Sequence, residues 1–139
     1  MTLPAHTLHH CLDELARGQT SSRALTDLAL DAATTSSQAS ATCTQVHAAS
    51  ARAAADAMDR LRGAGVALGP LAGLPISIKD LFDEQGQVTR AGSRVLEGAA
   101  PAERDSVVVQ RLRAAGAVIV CRTNMTEFAY SGLGLNPHY

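Results

Sequence analysis

Gly69-Pro70-Leu71-Ala72-Gly73-Leu74-Pro75-Ile76-Ser77-Ile78-Lys79-Asp80 is the stretch that decides how this chain is read. Gly and Pro punctuate its start, and Ile76-Ser77-Ile78-Lys79 then alternates apolar with polar side chains, the period of a β-strand. Lys79 therefore falls near a strand's C-terminal end, where ligands gather in open α/β sheets. It is also the chain's one lysine; the remaining 11 of its 12 cationic residues are arginines. A guanidinium keeps its proton in proteins, whereas a lysine amine driven out of water can lose it. A base is thus conceivable at position 79 and at no other cation. The opposing reading is a surface lysine whose ammonium snorkels to water. Ser77 projects to the same side of a strand and offers a hydrogen-bonding partner.

Downstream, Asp83-Glu84-Gln85-Gly86 reads as a turn leading into Val88 and Thr89. Asp105 is placed to cap a helix carrying Val108, Val109, Leu112 and Ala115, with Gly116 as its stop. Ala117-Val118-Ile119-Val120-Cys121 is apolar throughout, as in a strand covered on both faces, the kind found in parallel sheets. Strand, helix and strand make a crossover unit, right-handed by the general rule.

Upstream, Leu8, Leu12 and Leu15 predict a helix over Thr7 to Ala16 that stops at Gly18. Thr20-Ser21-Ser22 offers N-cap hydroxyls for a second helix running to about Ala33. Ala41 to Val46 reads as a short strand. Ala48, Ala51, Ala55, Met58 and Leu61 then share one face of an amphipathic helix closed by Gly63 and Gly65. The whole is an α/β chain with a mixed, partly parallel sheet packed by helices, one domain that is helical over 1–65 and α/β from 66 to 139.

The 139 residues are 46% hydrophobic but only 3% aromatic, and 26 are alanine, so the core is filled by Ala, Leu and Val. A net charge of −1 with no block of like charge lacks the electrostatic footprint of a nucleic-acid binder. Cys11, Cys43 and Cys121 are an odd count without close spacing, which argues against a disulfide framework or zinc site and for a reducing cytoplasm. No 18-residue apolar run marks a membrane span, and His6, His9 and His10 occupy the region a signal peptide would use. His9, His10 and Cys11 are adjacent, so they point to different sides of a helix and are read as solvent-facing histidines beside a core cysteine. His47 and Ser50 are explained by capping, Cys121 as a buried structural thiol, and Gly132-Leu133-Gly134 as a loop.

Five blocks carry a resemblance: the opening stretch from Gly69, Thr89-Arg90-Ala91-Gly92-Ser93, Arg104-Asp105-Ser106-Val107-Val108, Leu112 to Val118, and Thr123-Asn124-Met125-Thr126-Glu127-Phe128. In this order and spacing they resemble the N-terminal third of an amidase signature family enzyme, with looser similarity back to about Thr20. The resemblance implies an incomplete N-terminal part of that fold, acting on a small-molecule amide through a Ser-Ser-Lys triad and an acyl-enzyme, with no metal or organic cofactor. It implies that Lys79 is the catalytic general base, neutral in the resting enzyme, and that Ala129, Tyr130 and Ser131 line the substrate site. Serine is a weak nucleophile at neutral pH, and a desolvated lysine can activate it.

The family's Gly-Gly-Ser-Ser-Gly block and its later nucleophile-bearing segment are not found here. Ser21-Ser22 and Ser36-Ser37 have no flanking glycines. Cys121-Arg122 stands where the family usually shows Gly-Lys, and Cys43 where an aromatic is common. The chain alone is therefore predicted to be inactive, and the complete enzyme to be a possible homodimer. Two other expectations stand beside this. One is the glutamyl-tRNA amidotransferase component that releases ammonia from glutamine to amidate charged tRNA, which needs further protein partners. The other is a non-catalytic binding or regulatory remnant.

Overall fold

The computed structural model describes residues 7–139; His6 lies outside the described residues. The Thr7 hydroxyl accepts the His10 amide to open α1 (Leu8–Ala16), and Ser21 likewise accepts the Ala24 amide to open α2 (Ser22–Thr35). A single turn, α3 (Ala39–Thr42), leads into β1 (Cys43–Val46), and α4 (Ala48–Gly63) follows. The strand expected from Ala41 thus starts two residues later: the amides of Ala41 and Thr42 bond back to the Gln38 carbonyl and close a helical turn first.

The N-terminus of α2 is held from outside. Asp59 on α4 accepts the Ser22 amide at 2.7 Å and the Arg23 amide at 2.9 Å, satisfying two donors that a helix start leaves without intrahelical partners. Arg62, one turn on, donates to Asp59, to the Ser22 hydroxyl and to the Ala72 carbonyl, so the helix pair is tied to the segment that precedes β2.

That segment is pinned a second time. The Leu71 and Gly73 amides bond to the carbonyls of Ala115 and Gly116, and the Val118 amide to that of Leu74. Gly116 is required there: its φ is +87°, and a Cβ would lie 2.8 Å from the Ala72 Cα. The glycine-proline run therefore sets where β2 (Pro75–Lys79) begins relative to the turn between α5 (Val107–Ala114) and β3 (Val118–Thr123). Ser106, not Asp105, is the N-cap residue of α5; the Asp105 carboxylate instead accepts the Gln85 amide and pairs with Arg113.

The strand order is β1-β3-β2, with β3 central, antiparallel to β1 and parallel to β2. The mixed, partly parallel sheet expected from the sequence is thus present. Five of the six β3 residues are buried, because both faces are covered. Val118, Val120 and Cys121 meet Leu30 of α2 and Ala51 and Ala55 of α4, while Ile119 joins Ile78 and Val109 on the α5 side. The pairing runs Ile76 with Ile119 and then Ser77 with Cys121. Val120 is therefore the extra residue of a bulge, and this is why two consecutive side chains enter one cluster. No helix among the described residues is long and apolar enough to cross a membrane.

The Asp59 carboxyl sits below the ordinary range: burial opposes its ionisation, and the Arg23 and Ser22 amides, the Ser22 hydroxyl and Arg62 outweigh that effect. Asp59→Ala is expected to cost about 1–2 kcal/mol at pH 7, the scale of a lost N-cap, measured by urea denaturation.

Candidate active site

Burial alternates at the end of β2: Ser77 exposed, Ile78 buried, Lys79 exposed, Asp80 buried. Lys79 and Ser77 share the outward face, as strand periodicity dictates. The dry amine that the resemblance implies is not found within these residues, where the side chain of Lys79 is exposed.

Asp80 turns the opposite way. Its carboxylate accepts from Arg122 Nε at 2.9 Å and from the Gly92 amide at 3.1 Å, and both charged side chains are only 1% exposed. Its backbone bonds to the Thr123 carbonyl and receives the Ala91 amide. Arg122 also donates through Nη2 to the Phe82 carbonyl at 3.0 Å, and its Nη1 lies 3.6 Å from Glu84 Oε2. Glu84 in turn accepts Arg113 Nη2 at 2.7 Å and meets His47 Nε2 at 3.0 Å, and Arg113 reaches Asp105. This chain of charges joins the ends of β2 and β3, the start of α4, and α5. The carboxyl of Glu84 lies below its ordinary 4.5: burial raises it, and His47, Arg113 and Arg122 more than reverse that.

The segment bearing Ala129, Tyr130 and Ser131 is rooted in the same loop that Asp80 holds. The Phe128 amide donates to the Ala91 carbonyl, Ser93 Oγ donates to Glu127 Oε1 at 2.6 Å, and Asn136 Nδ2 bridges the Gly92 and Met125 carbonyls. Gly92, at φ +65°, passes so close to Met125 that a Cβ would lie 2.7 Å from its carbonyl oxygen. Ala129, Tyr130 and Ser131 are themselves exposed, Tyr130 by 93%. The structure thus connects the anchor next to Lys79 to the base of this segment through hydrogen bonds, and leaves all four candidate side chains facing outward.

Two other expectations change. His47 precedes α4 but makes no side-chain cap; its imidazole is buried against Glu84 instead. A cleft of about 570 Å³, lined in part by Leu8, Cys11, Leu25, Leu28, Leu74 and Ile76, opens at the N-terminal end of β2, opposite Lys79. Cys11, expected in the core, is only half-buried and lines this cleft, while His9 and His10 face solvent. Among the described residues no group of three or more His, Cys, Asp or Glu side chains is placed to hold a metal.

Asp80, Glu84 and Arg122 went unrecognised as a unit in the sequence. The available signal was Arg122 itself, a cation closing an unbroken apolar run, which demands a buried carboxylate partner.

A family model described as "Amidase" matches residues 24–139. The chain belongs to the amidase signature family. The AtzE component of the 1-carboxybiuret hydrolase of Pseudomonas sp. strain ADP is 45% identical over 130 residues, 92% of this chain and 28% of that protein. The GatA-type component of the glutamyl-tRNA(Gln) amidotransferase of Salinispora arenicola strain CNS-205 is 44% identical over 115 residues, 83% of this chain and 23% of that one. The native peptide amidase of Stenotrophomonas maltophilia superposes with a TM-score of 0.79 at 30% identity, over 91% of this chain and 26% of its own. The chain therefore spans about a quarter of the length of these amidase relatives.

Because the Glu84 carboxyl is depressed in the folded chain, its stabilisation is present above about pH 4.5 and is lost as pH falls through the folded value. Glu84→Gln is expected to cost about 1–3 kcal/mol at pH 7. The gap from the parent should narrow below pH 4.5, which urea midpoints across the acid range would read.

Proposed function

We propose that this chain supplies the general base of a Ser-Ser-Lys amide hydrolase, with both catalytic serines on polypeptide outside the 139 residues. The observation that carries the reading is the placement of the only lysine. Lys79 stands on the outward face where β2 ends, beside an Asp80 locked by Arg122 and the Gly92 amide. Its backbone is fixed while its amine is free to meet a hydroxyl from another segment. Covering by that further polypeptide is what would desolvate it. The 139 residues form the N-terminal part of a single amidase domain, with Ala129, Tyr130 and Ser131 lining the substrate site.

In the reaction, the Lys79 amine takes the proton of a serine hydroxyl through a bridging serine, and the nucleophilic oxygen bonds to the amide carbon. The carbon–nitrogen bond breaks and nitrogen leaves with the proton. Water, activated the same way, then cleaves the acyl-enzyme to the acid and restores the serine. The route uses no metal or organic cofactor. The chain's own serine pairs are engaged elsewhere or lack the context: Ser21 caps α2, and Ser22 is buried against Arg62. Alone, the chain is inactive. A small-molecule amide is the substrate, the cytoplasm the compartment, and a homodimer the form of the complete enzyme; neither a nucleic acid nor a membrane is contacted.

A second reading is the corresponding component of a glutamyl-tRNA amidotransferase, favoured by the 44% identity to such a protein, nearly that to AtzE. Co-purification with a tRNA-binding partner separates the two. A non-catalytic remnant is the reading left if no active form exists.

The reading frame beyond the Tyr139 codon is expected to encode the Gly-Gly-Ser-Ser-Gly block. In protein that carries it, Lys79→Ala should lower kcat for amide cleavage about 100-fold or more, and Lys79→Arg should not restore it, because guanidinium keeps its proton. Turnover by the 139 residues alone, or unchanged kcat in Lys79→Ala, contradicts the proposal.

A further inference from the structure

Cys43 and Cys121 lie 78 residues apart, yet the fold sets their sulfurs 2.9 Å from each other across β1 and β3. A disulfide spans about 2.05 Å, so roughly 0.9 Å of approach separates this dithiol from a bond. Both are free thiols. Cys121 is 3% exposed, Cys43 is half-buried, and a surface cavity of about 280 Å³ opens beside them, lined by both sulfur residues with Ala33, Ser36, Thr42 and Ser77. Reagent therefore reaches the pair from one side. Burial, reinforced by Cys43, pushes the Cys121 thiol up to about 12, which leaves the more accessible Cys43 to react first.

We propose that Cys43 and Cys121 form a modification site at which a small-molecule disulfide oxidises the two thiols to a Cys43–Cys121 cross-link. The Cys43 thiolate attacks one sulfur of the reagent, forming a mixed disulfide and expelling the first small thiolate. That thiolate takes the Cys121 proton, and the Cys121 sulfur attacks Cys43 Sγ, forming the cross-link and releasing the second small thiol. Two electrons pass from the cysteines to the reagent, one disulfide becomes another, and two small thiols leave. The second step is intramolecular between atoms already in contact, which favours closure over a lasting mixed disulfide. The cross-link joins β1 to β3 where their ladder is irregular, between Cys43 and Gln45. This inference stands independently of the proposed hydrolase chemistry.

Trypsin places the three cysteines on separate peptides, residues 1–17, 24–52 and 114–122. The 139-residue chain incubated with oxidised glutathione is expected to lose about 2 Da, the two thiol hydrogens. Mass spectrometry should show peptides 24–52 and 114–122 linked, the link reversed by dithiothreitol, and Cys11 outside it. Cys43→Ser should abolish the cross-link, and the map of the parent chain decides should that variant fold poorly. A stable glutathione adduct on Cys43 without the cross-link, two persistently free thiols, or a link through Cys11 each overturns the proposal.

Discussion

The buried pair between Asp80 and Arg122 constrains everything near the end of β2. Two charges with side chains 1% exposed must satisfy each other, since an unpaired ion at that depth would cost several kcal/mol. Arg122 spends its donors on three elements: the Asp80 carboxylate, the Phe82 carbonyl and the neighbourhood of Glu84. Asp80 uses its second oxygen to hold the Gly92 amide. One pair thus fixes the chain leaving β2, the chain leaving β3, and the loop at residues 91–93. Replacing such a pair with apolar groups is often nearly neutral, so specification of geometry is the better account of its presence here than stability.

Lys79 inherits its position from this arrangement. With Asp80 committed inward, strand periodicity commits Lys79 and Ser77 outward. Phe128 and Glu127 dock on the Ala91–Ser93 loop, so the segment at 129–131 is rooted in the same assembly. The lysine and that segment are therefore both exposed, on backbone fixed by buried charge.

Much of the fold was legible because it follows from local pattern. The alternation at Ile76 to Lys79 and the apolar run at Ala117 to Cys121 located β2 and β3, and the continuity of that run foretold a strand covered on both faces. The amidase family was legible in the blocks from Gly69 onward, and the match over residues 24–139 bears it out. What escaped depends on contacts distant in sequence. His47 looked like a cap because it precedes a helix, but its partner Glu84 arrives from 37 residues away. Asp105 looked like a cap for the same reason, and Arg113 and the Gln85 amide claim it. Cys43, Cys121 and Arg122, read in the sequence one by one, turn out to lie together where β1 and β3 pair. The Val120 bulge, invisible to periodicity, is what sends Cys121 toward the α2 and α4 side.

A double-mutant cycle on Asp80→Asn and Arg122→Met, read as unfolding free energy in urea, tests the constraint on which the presentation of Lys79 rests. Each single change is expected to cost about 3–5 kcal/mol, because it strands the other charge, and the double variant, which strands neither, should be no less stable than either single variant. Losses that simply add, within about 0.5 kcal/mol, would contradict the account, because the two residues would then not be acting on one another.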